Sequence, residues 1–563
     1  MQCREAVFAE DVLVYVLDNY RGEEYIREVY NPDCYIRLDD RQAIIYQQVQ
    51  NVNGEAIQKY GFSAIPNVFG LMSEEALEAS GVLRIRRQPS LDLYGQGVLI
   101  GIVDTGIDFT HKAFVAADGT SRIVSIWDQS VEEGVGNENF PYGRMYSREQ
   151  LNQALSSKNP FEIVPSQDEI GHGTFMAGVA AGNENRAEEF SGVAPLSELV
   201  VVKCRQANES YRNYYRIPSD VPAYLESDVI LACGGSWMVK KDLILAYLLS
   251  VAAQERKPII LCLGMGSSMG NHNGSTALGV YLNRYLSVGS VAIVTCVGNE
   301  GNTRHHHTIR RKEDTIDISV SANMNGFMGQ LWWQTPGSLS VDVISPSGET
   351  IREIRAVSGI RYEHRFVPEN TTVEIYFGVA QQLTREQVVV FRFQNPTTGI
   401  WKVRTQFDYE VPKFSMWLPI QQFLEKEVVF LDSDPDMTAT NPSTTPFVTG
   451  VSAYDVRDGA LYLQSGRGFT PFGYIKPEVV APGVELTGTY PGNRYGTMTG
   501  TSVAAAFVAG ISALFMQEYA DDGANSNAVR EALIRGAVPR GEPYPNTEWG
   551  YGIVDAYRSI TDY

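Results

Sequence analysis

The sequence lacks several features that mark whole classes of protein. No hydrophobic run in its 563 residues approaches the roughly 18 residues that a membrane span requires. Basic residues are in deficit, with 46 Lys and Arg against 66 Asp and Glu, so the net charge is −20. An acidic surface of this size disfavours binding to nucleic acid and to anionic lipid. We therefore expect no nucleic-acid partner and no membrane partner.

Cysteine is also scarce, and no pair has the C-x-x-C spacing of a thiol-bound metal site. The first twenty residues lack a basic start followed by an apolar core, so no secretory signal is recognised. We predict buried, free thiols in a reducing compartment. The six cysteines are Cys3, Cys34, Cys204, Cys233, Cys262 and Cys296.

Residues 1–63 have the pattern of a small α+β unit. Alternating apolar stretches separated by turn residues predict the order β-α-β-β-α-β. The predicted elements are Asp11–Leu17, Gly22–Tyr30, Cys34–Leu38, Ala43–Val49 and Gly54–Tyr60, followed by an extended tail over Phe62–Val68. This order is that of a ferredoxin-like domain.

Residues 64–302 and 431–563 have a different pattern. Four continuously apolar runs are typical of parallel strands buried on both faces, and helical stretches such as Gly173–Ala181 and Leu243–Ala253 lie between them. The runs are Val98–Val103, Leu199–Val202, Ile259–Leu263 and Val291–Val297. Alternating strands and helices predict a doubly wound parallel sheet of the α/β class, with functional groups at the carboxyl ends of the strands.

Residues 303–430 interrupt that pattern with short alternating strands and frequent turns. We predict an inserted antiparallel β-sandwich, jelly-roll-like, with its tryptophans in the core or against the α/β domain. The predicted strands are Ile316–Val320, Leu339–Ile344, Val373–Phe377, Val388–Phe393 and Trp401–Thr405. The tryptophans are Trp332, Trp333, Trp401 and Trp417.

Four polar residues fall where strands end or helices begin. They are Asp104 in VDTGID, His172 in GHGTFMAGVAAG, Asn299 in VGNEG and Ser502 in TGTSVAAAFVAG. Taken singly, each is compatible with a turn aspartate, a structural histidine, a turn asparagine or an N-cap serine. Together they supply a nucleophile (Ser502), a general base (His172), a carboxylate that orients the base (Asp104) and an oxyanion donor (Asn299 with the Ser502 amide).

These motifs resemble the aspartate, histidine, oxyanion-hole and serine motifs of the subtilase superfamily. KPEVVAPG over Lys476–Gly483 is similar to the segment that precedes the serine motif there. LGMG over Leu263–Gly266 resembles the strand that pairs with substrate, which implies Gly264, Met265 and Gly266 as substrate-binding residues. IWDQS over Ile126–Ser130 and the β-rich insert make the chain similar to clostridial Csp-type germination proteases.

Three features depart from the commonest form of the family. Val503 and Phe507 replace a methionine and a proline of the serine motif, and 68 residues separate Asp104 from His172. Calcium ligands cannot be matched, so no metal site or cofactor is predicted, and Asp128 and Asp168 are as compatible with solvated loop residues as with calcium ligands. Three adjacent histidines, His305-His306-His307, do not face one way and are a poor metal site.

The resemblance implies a serine endopeptidase acting on protein or peptide substrates. Residues 1–63 are expected to be a pro-domain, an intramolecular chaperone and inhibitor bound in the active-site cleft and cut off by the enzyme between residues 58 and 65. The expected substrate is the precursor of a spore-cortex lytic enzyme, and the expected location is cytoplasmic or spore-associated. The alternatives are a catalytically silent pseudoprotease scaffold and a binding protein that acts through its β-sandwich.

Overall fold

The structure is a computed structural model. It describes residues 12–18, 26–30, 32, 34–37, 42–48, 68–71, 79–86, 88, 90–132, 140, 142–233, 236–239, 242–284, 289–334, 338–381, 386–408 and 414–563.

An eight-stranded sheet forms the centre of the fold, and its apolar runs are buried on both faces. All neighbouring strands are parallel except Arg144–Ser147, which pairs antiparallel at one edge. In spatial order the strands are Val479–Pro482, Thr449–Tyr454, Val291–Cys296, Ile259–Leu263, Leu99–Asp104, Glu198–Lys203, Ile123–Asp128 and Arg144–Ser147. The four predicted parallel strands all lie within this sheet, so the predicted α/β class is confirmed.

Helices cover the sheet, and one of them runs through the core. This helix, Thr501–Tyr519, is called the serine helix, and its residues 501–516 are all buried. By length and composition alone it resembles a membrane span, but 89% of its apolar window is buried inside the protein. The remaining α-helices are Val82–Arg86, Arg148–Leu155, Pro160–Ile163, His172–Ala181, Glu209–Tyr215, Glu226–Cys233, Tyr247–Glu255, Ala277–Asn283, Ser526–Gly536 and Ala556–Thr561. Short 3₁₀ turns lie at Lys112–Phe114 and Gln421–Phe423.

One predicted helix begins later than the sequence suggests. Asp242–Leu245 pairs antiparallel with Ser236–Val239, so the first residues of the predicted helix Leu243–Ala253 belong to a hairpin. The helix itself is Tyr247–Glu255. A second hairpin joins Leu486–Tyr490 to Arg494–Met498.

The N-terminal residues form a three-stranded antiparallel sheet with Gln42–Gln48 in the centre, between Val12–Asp18 and Cys34–Arg37. The predicted first helix is a π-helical turn over Ile26–Tyr30. The predicted helix Gly54–Tyr60 lies outside the described residues. Cys34 is disulfide-bonded, so the prediction of six free thiols is wrong for this residue. The four cysteines after residue 200 are free and buried, as predicted.

The N-terminal sheet packs on the α/β domain through an edge strand. The Tyr211 hydroxyl hydrogen-bonds to both the amide and the carbonyl of Val14, and Asn208 Nδ2 donates to Val12 O at 2.8 Å. Both polar side chains lie at the helix Glu209–Tyr215, Asn208 as its N-cap. These bonds occupy edge groups of Val12–Asp18 that a neighbouring strand would otherwise pair.

Two antiparallel sheets make up the segment between His306 and Phe430, and each of the five strands predicted there falls within one of them. In spatial order the six-stranded sheet contains His306–Ile309, Phe414–Trp417, Gly326–Gln334, Glu386–Gln394, Thr371–Gln381 and Arg361–Phe366. The five-stranded sheet contains Thr350–Arg355, Leu339–Ile344, Gly399–Phe407, Glu313–Val320 and Val428–Phe430. One hydrophobic cluster draws on both sheets.

The four tryptophans of the insert divide between its interior and its boundary. Trp333 and Trp401 belong to the cluster inside the insert, whereas Trp332 and Trp417 belong to the cluster shared with the α/β domain. Trp417 stacks on His272 of the α/β domain, with ring centroids 4.1 Å apart, and on His306 of the insert at 4.9 Å. The insert is therefore packed on the α/β domain through aromatic contacts.

This boundary makes stability depend on pH. Burial lowers the pKa of His272 from 6.5 to about 4 despite hydrogen bonds to two carbonyl oxygens. Below pH 6.5 the unfolded chain therefore takes up a proton that the folded chain does not, and the free energy of unfolding falls as pH decreases towards 4. Between pH 7 and pH 5 this residue should cost about 2 kcal/mol. We expect His272→Gln to remove that part of the pH dependence in urea unfolding at both pH values. If the free energy of unfolding of His272→Gln fell between pH 7 and pH 5 by as much as that of the wild type, His272 would not be the source of this pH dependence.

Candidate active site

Asp104 is the last residue of the buried strand Leu99–Asp104, at the carboxyl edge of the sheet. The chain turns away immediately through Gly106, whose φ of +116° is in a region that L side chains rarely adopt. The Asp104 carboxylate is fully buried, and its Oδ1 accepts a hydrogen bond from the Thr105 amide at 2.8 Å. The strand end thus holds this carboxylate in one orientation.

His172 opens the helix His172–Ala181, called the histidine helix. Glycine is required beside it, because a Cβ at Gly173 would lie 2.2 Å from Gly106 O and 3.1 Å from Asp104 Cβ. The close approach of this helix to the Asp104 turn is what brings the imidazole to the carboxylate.

Three side chains from distant parts of the chain meet here in one hydrogen-bonded line. His172 Nδ1 lies 2.7 Å from Asp104 Oδ1, and His172 Nε2 lies 3.1 Å from Ser502 Oγ. Nδ1–H donates to the carboxylate, which leaves Nε2 to accept from the serine hydroxyl. All three are almost wholly buried. This geometry allows the serine to lose its proton to the imidazole as it attacks an electrophile.

Asn299 lies three residues beyond the strand Val291–Cys296, next to the start of the serine helix. Its Oδ1 accepts hydrogen bonds from Thr501 N at 3.2 Å and Thr501 Oγ1 at 3.1 Å. The amide oxygen is thereby used within the protein, and the Nδ2 group is left as a donor. Ser502 is in the first turn of its helix, where backbone N–H groups have no partner within the helix. The two donors suit a developing oxyanion.

We expect Asn299→Ala to lower kcat by roughly 10²–10³ with little change in KM, because the lost donor acts mainly on the oxyanion of the transition state. Steady-state kinetics on a peptide substrate measure this. Asn302→Ala in the following turn is the matched control and should behave as the wild type. If Asn299→Ala instead raised KM by roughly 10²–10³ and left kcat unchanged, Asn299 would bind the ground state of the substrate and not the transition state.

The predicted substrate-binding segment lies directly beside these groups. A Cβ added to Gly264 would lie 3.0 Å from Asp104 Oδ2 and 3.2 Å from His172 Cε1. Met265–Gly266 pairs antiparallel with Val68–Leu71, with Gly266 opposite Gly70 and Met265 opposite Leu71. On its other side Val68–Leu71 pairs with Tyr224–Leu225. We call Val68–Leu71 the cleft strand, since it lies between the edge beside Asp104 and His172 and the edge Tyr224–Leu225.

The predicted cleavage window 58–65 lies outside the described residues. The segment of the chain that the structure places in the cleft follows that window. Its position was not evident from the sequence, because an apolar extended tail carries no mark of its register.

Of the two alternatives for Asp128 and Asp168, the structure excludes solvated loop residues, since they are 1% and 3% exposed. Asp128 accepts hydrogen bonds from the Ser130 amide and hydroxyl and from the Ser166 hydroxyl. Asp168 is bonded to groups around the first turn of the histidine helix. Asp168 lies three residues before the N-cap Gly171, so its position in the sequence is not that of an N-cap residue.

The three adjacent histidines have separate partners. Through Nδ1, His305 contacts Glu300 Oε2 at 3.1 Å, His306 contacts Asp434 O at 3.1 Å and His307 contacts Asp432 O at 2.5 Å. Within the described ranges no three His, Cys, Asp or Glu side chains are arranged to hold a metal ion. The histidines instead join the start of the insert to Glu300, Asp432 and Asp434 of the α/β domain.

Known proteins with this organisation were found by sequence and by structure. The subtilase family, Peptidase S8, matches residues 95–349 and 431–552. The structure of the Clostridium perfringens CspB protease superimposes with a TM-score of 0.74 at 30% identity, covering 86% of this chain and 96% of that one.

More distant sequence relatives are longer proteins. The C5a peptidase of Streptococcus pyogenes serotype M18 is 21% identical over 440 residues, covering 76% of this chain and 36% of that protein. The subtilisin-like protease SBT2.2 of Arabidopsis thaliana is 23% identical over 502 residues, covering 76% and 55%. The family match covers more than half of the chain and includes Asp104, His172, Asn299 and Ser502. This chain belongs to the subtilase family.

Proposed function

We propose that the chain is a serine endopeptidase that hydrolyses peptide bonds through an acyl-enzyme on Ser502. The observation that carries the proposal is the hydrogen-bonded line from Ser502 through His172 to Asp104. Ser502 Oγ attacks the scissile carbonyl while His172 Nε2 takes its proton, and Asp104 stabilises the imidazolium. Asn299 Nδ2 and the Ser502 amide bind the oxyanion. His172 then gives the proton to the leaving amine, and water releases the acyl group by the same steps.

A fluorophosphonate probe tests this proposal directly, because it phosphonylates only an activated serine. Labelling of wild-type protein, mapped to Ser502 by mass spectrometry, supports the peptidase over a silent scaffold. Absence of labelling in folded protein from which the N-terminal unit has been removed would favour the pseudoprotease. The presence of Asp104, His172 and Ser502 in one hydrogen-bonded line favours the peptidase over the pseudoprotease.

The proposed substrate is an extended peptide that adds a strand to Gly264–Gly266. The cleft strand supports this, since the same antiparallel pairing is made there by the chain itself. By resemblance to clostridial Csp-type proteases, the proposed physiological substrate is the precursor of a spore-cortex lytic enzyme, at a cytoplasmic or spore-associated location.

We also propose that the N-terminal unit is a pro-domain that the enzyme cuts from itself. The register of the cleft strand favours a bond beyond Leu71 rather than one between residues 58 and 65. In that register the next position of the facing edge is Gly264, beside Asp104 and His172. The proposed pro-domain therefore extends past residue 63 and includes the cleft strand.

Intact-mass analysis of purified protein tests self-cleavage. We expect two wild-type fragments, with the first ending between Leu71 and Ser80, and a single chain for Ser502→Ala. Thr497→Ala, on the exposed hairpin before the serine helix, is the matched control and should be processed normally. Cleavage between residues 58 and 65 would refute the register, and processing of Ser502→Ala in a protease-free preparation would refute self-cleavage.

The jelly-roll-like identity of the insert and a binding role for it remain part of the proposal. Two antiparallel sheets around one apolar cluster support the first. A cavity of about 370 Å³ at its boundary with the α/β domain supports the second, and Trp332, Glu386 and Phe472 are among its lining residues. Such a role is compatible with catalysis elsewhere in the molecule.

A further inference from the structure

Asp168 is a buried carboxylate that accepts five hydrogen bonds. Its Oδ1 accepts from Thr105 Oγ1 at 2.7 Å, Gly171 N at 2.8 Å and Ile170 N at 3.3 Å. Its Oδ2 accepts from Thr174 N at 2.8 Å and Thr174 Oγ1 at 2.7 Å. Three of the donors are backbone amides around the first turn of the histidine helix. The negative charge therefore sits on the positive end of that helix.

Asp168 is also connected to Asp104 through one residue. Thr105 Oγ1 donates to Asp168 and accepts from Gly173 N at 2.8 Å, while Thr105 N donates to Asp104 Oδ1 at 2.8 Å. The same Asp104 Oδ1 also accepts a hydrogen bond from His172 Nδ1. A single chain of hydrogen bonds thus runs from Asp168 to the carboxylate that orients the catalytic imidazole.

The position of His172 poses an electrostatic problem that this arrangement addresses. The positive end of a helix disfavours a cation by roughly 0.3–1 kcal/mol, and up to about 2 when partly buried. His172 is the first residue of its helix and must become an imidazolium during each acylation. A carboxylate on the free amides of that turn counters the helix field in the way an anionic N-cap does.

The other titratable groups near the pair offer no equivalent charge. Burial raises the pKa of the Cys204, Cys262 and Cys296 thiols and of the Tyr224 hydroxyl, so these groups are neutral at neutral pH. Lys203 is paired with Glu169, which lies at the surface. Asp108 directs its carboxylate to Thr110 and to Gly492 N. Among the residues that the structure describes, Asp168 is therefore the carboxylate, besides Asp104, that acts on this helix terminus.

We infer that Asp168 is a positioning residue for the catalytic pair. Its carboxylate fixes the Asp104 turn through Thr105 and neutralises the positive end of the histidine helix, so that His172 is held against Asp104 and can accept the serine proton. The inference rests on the proposed function for its catalytic consequence, but the electrostatic effect on His172 does not depend on catalysis.

Titration of His172 by NMR tests the inference apart from activity. Full-length protein carrying ¹³Cε1-histidine gives seven signals, and His172 is assigned by its loss in His172→Gln. We expect Asp168→Asn to lower the pH midpoint of His172 by about half a unit or more, because a negative charge and a capping contact are both lost. Asp118→Asn, at an exposed turn, is the charge-matched control and should leave the midpoint unchanged.

A second pair of variants covers the case in which Asp168→Asn does not fold. Thr105→Val removes the hydroxyl that links Asp168 to the Asp104 turn, and Thr105→Ser retains it. We expect the valine variant to lower the His172 midpoint and the serine variant to keep the wild-type value. A merely structural role would reduce Tm without moving the midpoint, and that result, or equal midpoints for valine and serine, overturns the inference.

Failure of the proposed function would appear separately, as absence of fluorophosphonate labelling in a wild type with a normal His172 titration.

Discussion

Replacing Ser502 by alanine is expected to abolish fluorophosphonate labelling and to lower kcat by a factor on the order of 10⁴ or more. Ser502 Oγ lies 3.1 Å from His172 Nε2, within reach for transfer of its proton. The residual rate would come from the oxyanion donors and substrate binding alone. Hydrolysis of a peptide substrate, measured on protein freed of its N-terminal unit, gives the value.

Ser512→Ala is the matched control for this experiment. Ser512 is a buried serine of the same helix, and its hydroxyl donates to Val508 O at 2.7 Å. It has the same chemistry and nearly the same burial as Ser502 but lies far along the helix from His172. We expect normal labelling of this variant. Near-normal peptidase activity of Ser502→Ala would show that another residue is the nucleophile.

Asp104→Asn is expected to lower kcat by a factor on the order of 10⁴ while the protein stays folded. The Asp104 carboxylate accepts from both His172 Nδ1 and Thr105 N at one oxygen. An amide that kept its oxygen on Thr105 could accept from His172 but could not stabilise an imidazolium, and a flipped amide would favour the wrong tautomer. The rate of fluorophosphonate labelling reports the loss without requiring a known substrate.

The control for that experiment is Asp118→Asn, which removes the same charge from an exposed turn where the carboxylate accepts hydrogen bonds from Thr120. Its labelling rate should equal that of the wild type. If Asp104→Asn were labelled as fast as this control, the carboxylate would have no part in activating the serine.

The triad could be anticipated because each of its residues is set by local sequence. Asp104 ends a continuously apolar run, and the carboxyl ends of parallel strands meet at one edge of a sheet. His172 and Ser502 begin helices rich in small residues, which allows close packing against that edge. These three motifs therefore bring Asp104, His172 and Ser502 together without knowledge of the loops between them.

Features that depend on how loops fold over the site could not be anticipated. Asp168 is polar and lies between helices, so its sequence surroundings are those of an exposed loop, whereas its burial depends on Thr105 from a different element. The stacking of Trp417 between His272 and His306 joins three segments far apart in sequence. The residues of the cleft strand do not themselves determine its pairing partner, because that partner depends on where the chain crosses the cleft.

The cleft strand has a kinetic consequence for any assay of this protein. Before the N-terminal unit is cut off, a peptide added in solution must compete with an occupant that is attached to the same chain, and tethered segments act at effective concentrations on the order of millimolar. The apparent KM of such a preparation then measures displacement of the tethered segment as much as affinity for the peptide. Peptides that bind the groove tightly will therefore show a low apparent affinity. This apparent affinity will increase when the N-terminal unit is digested away, although the groove itself does not change.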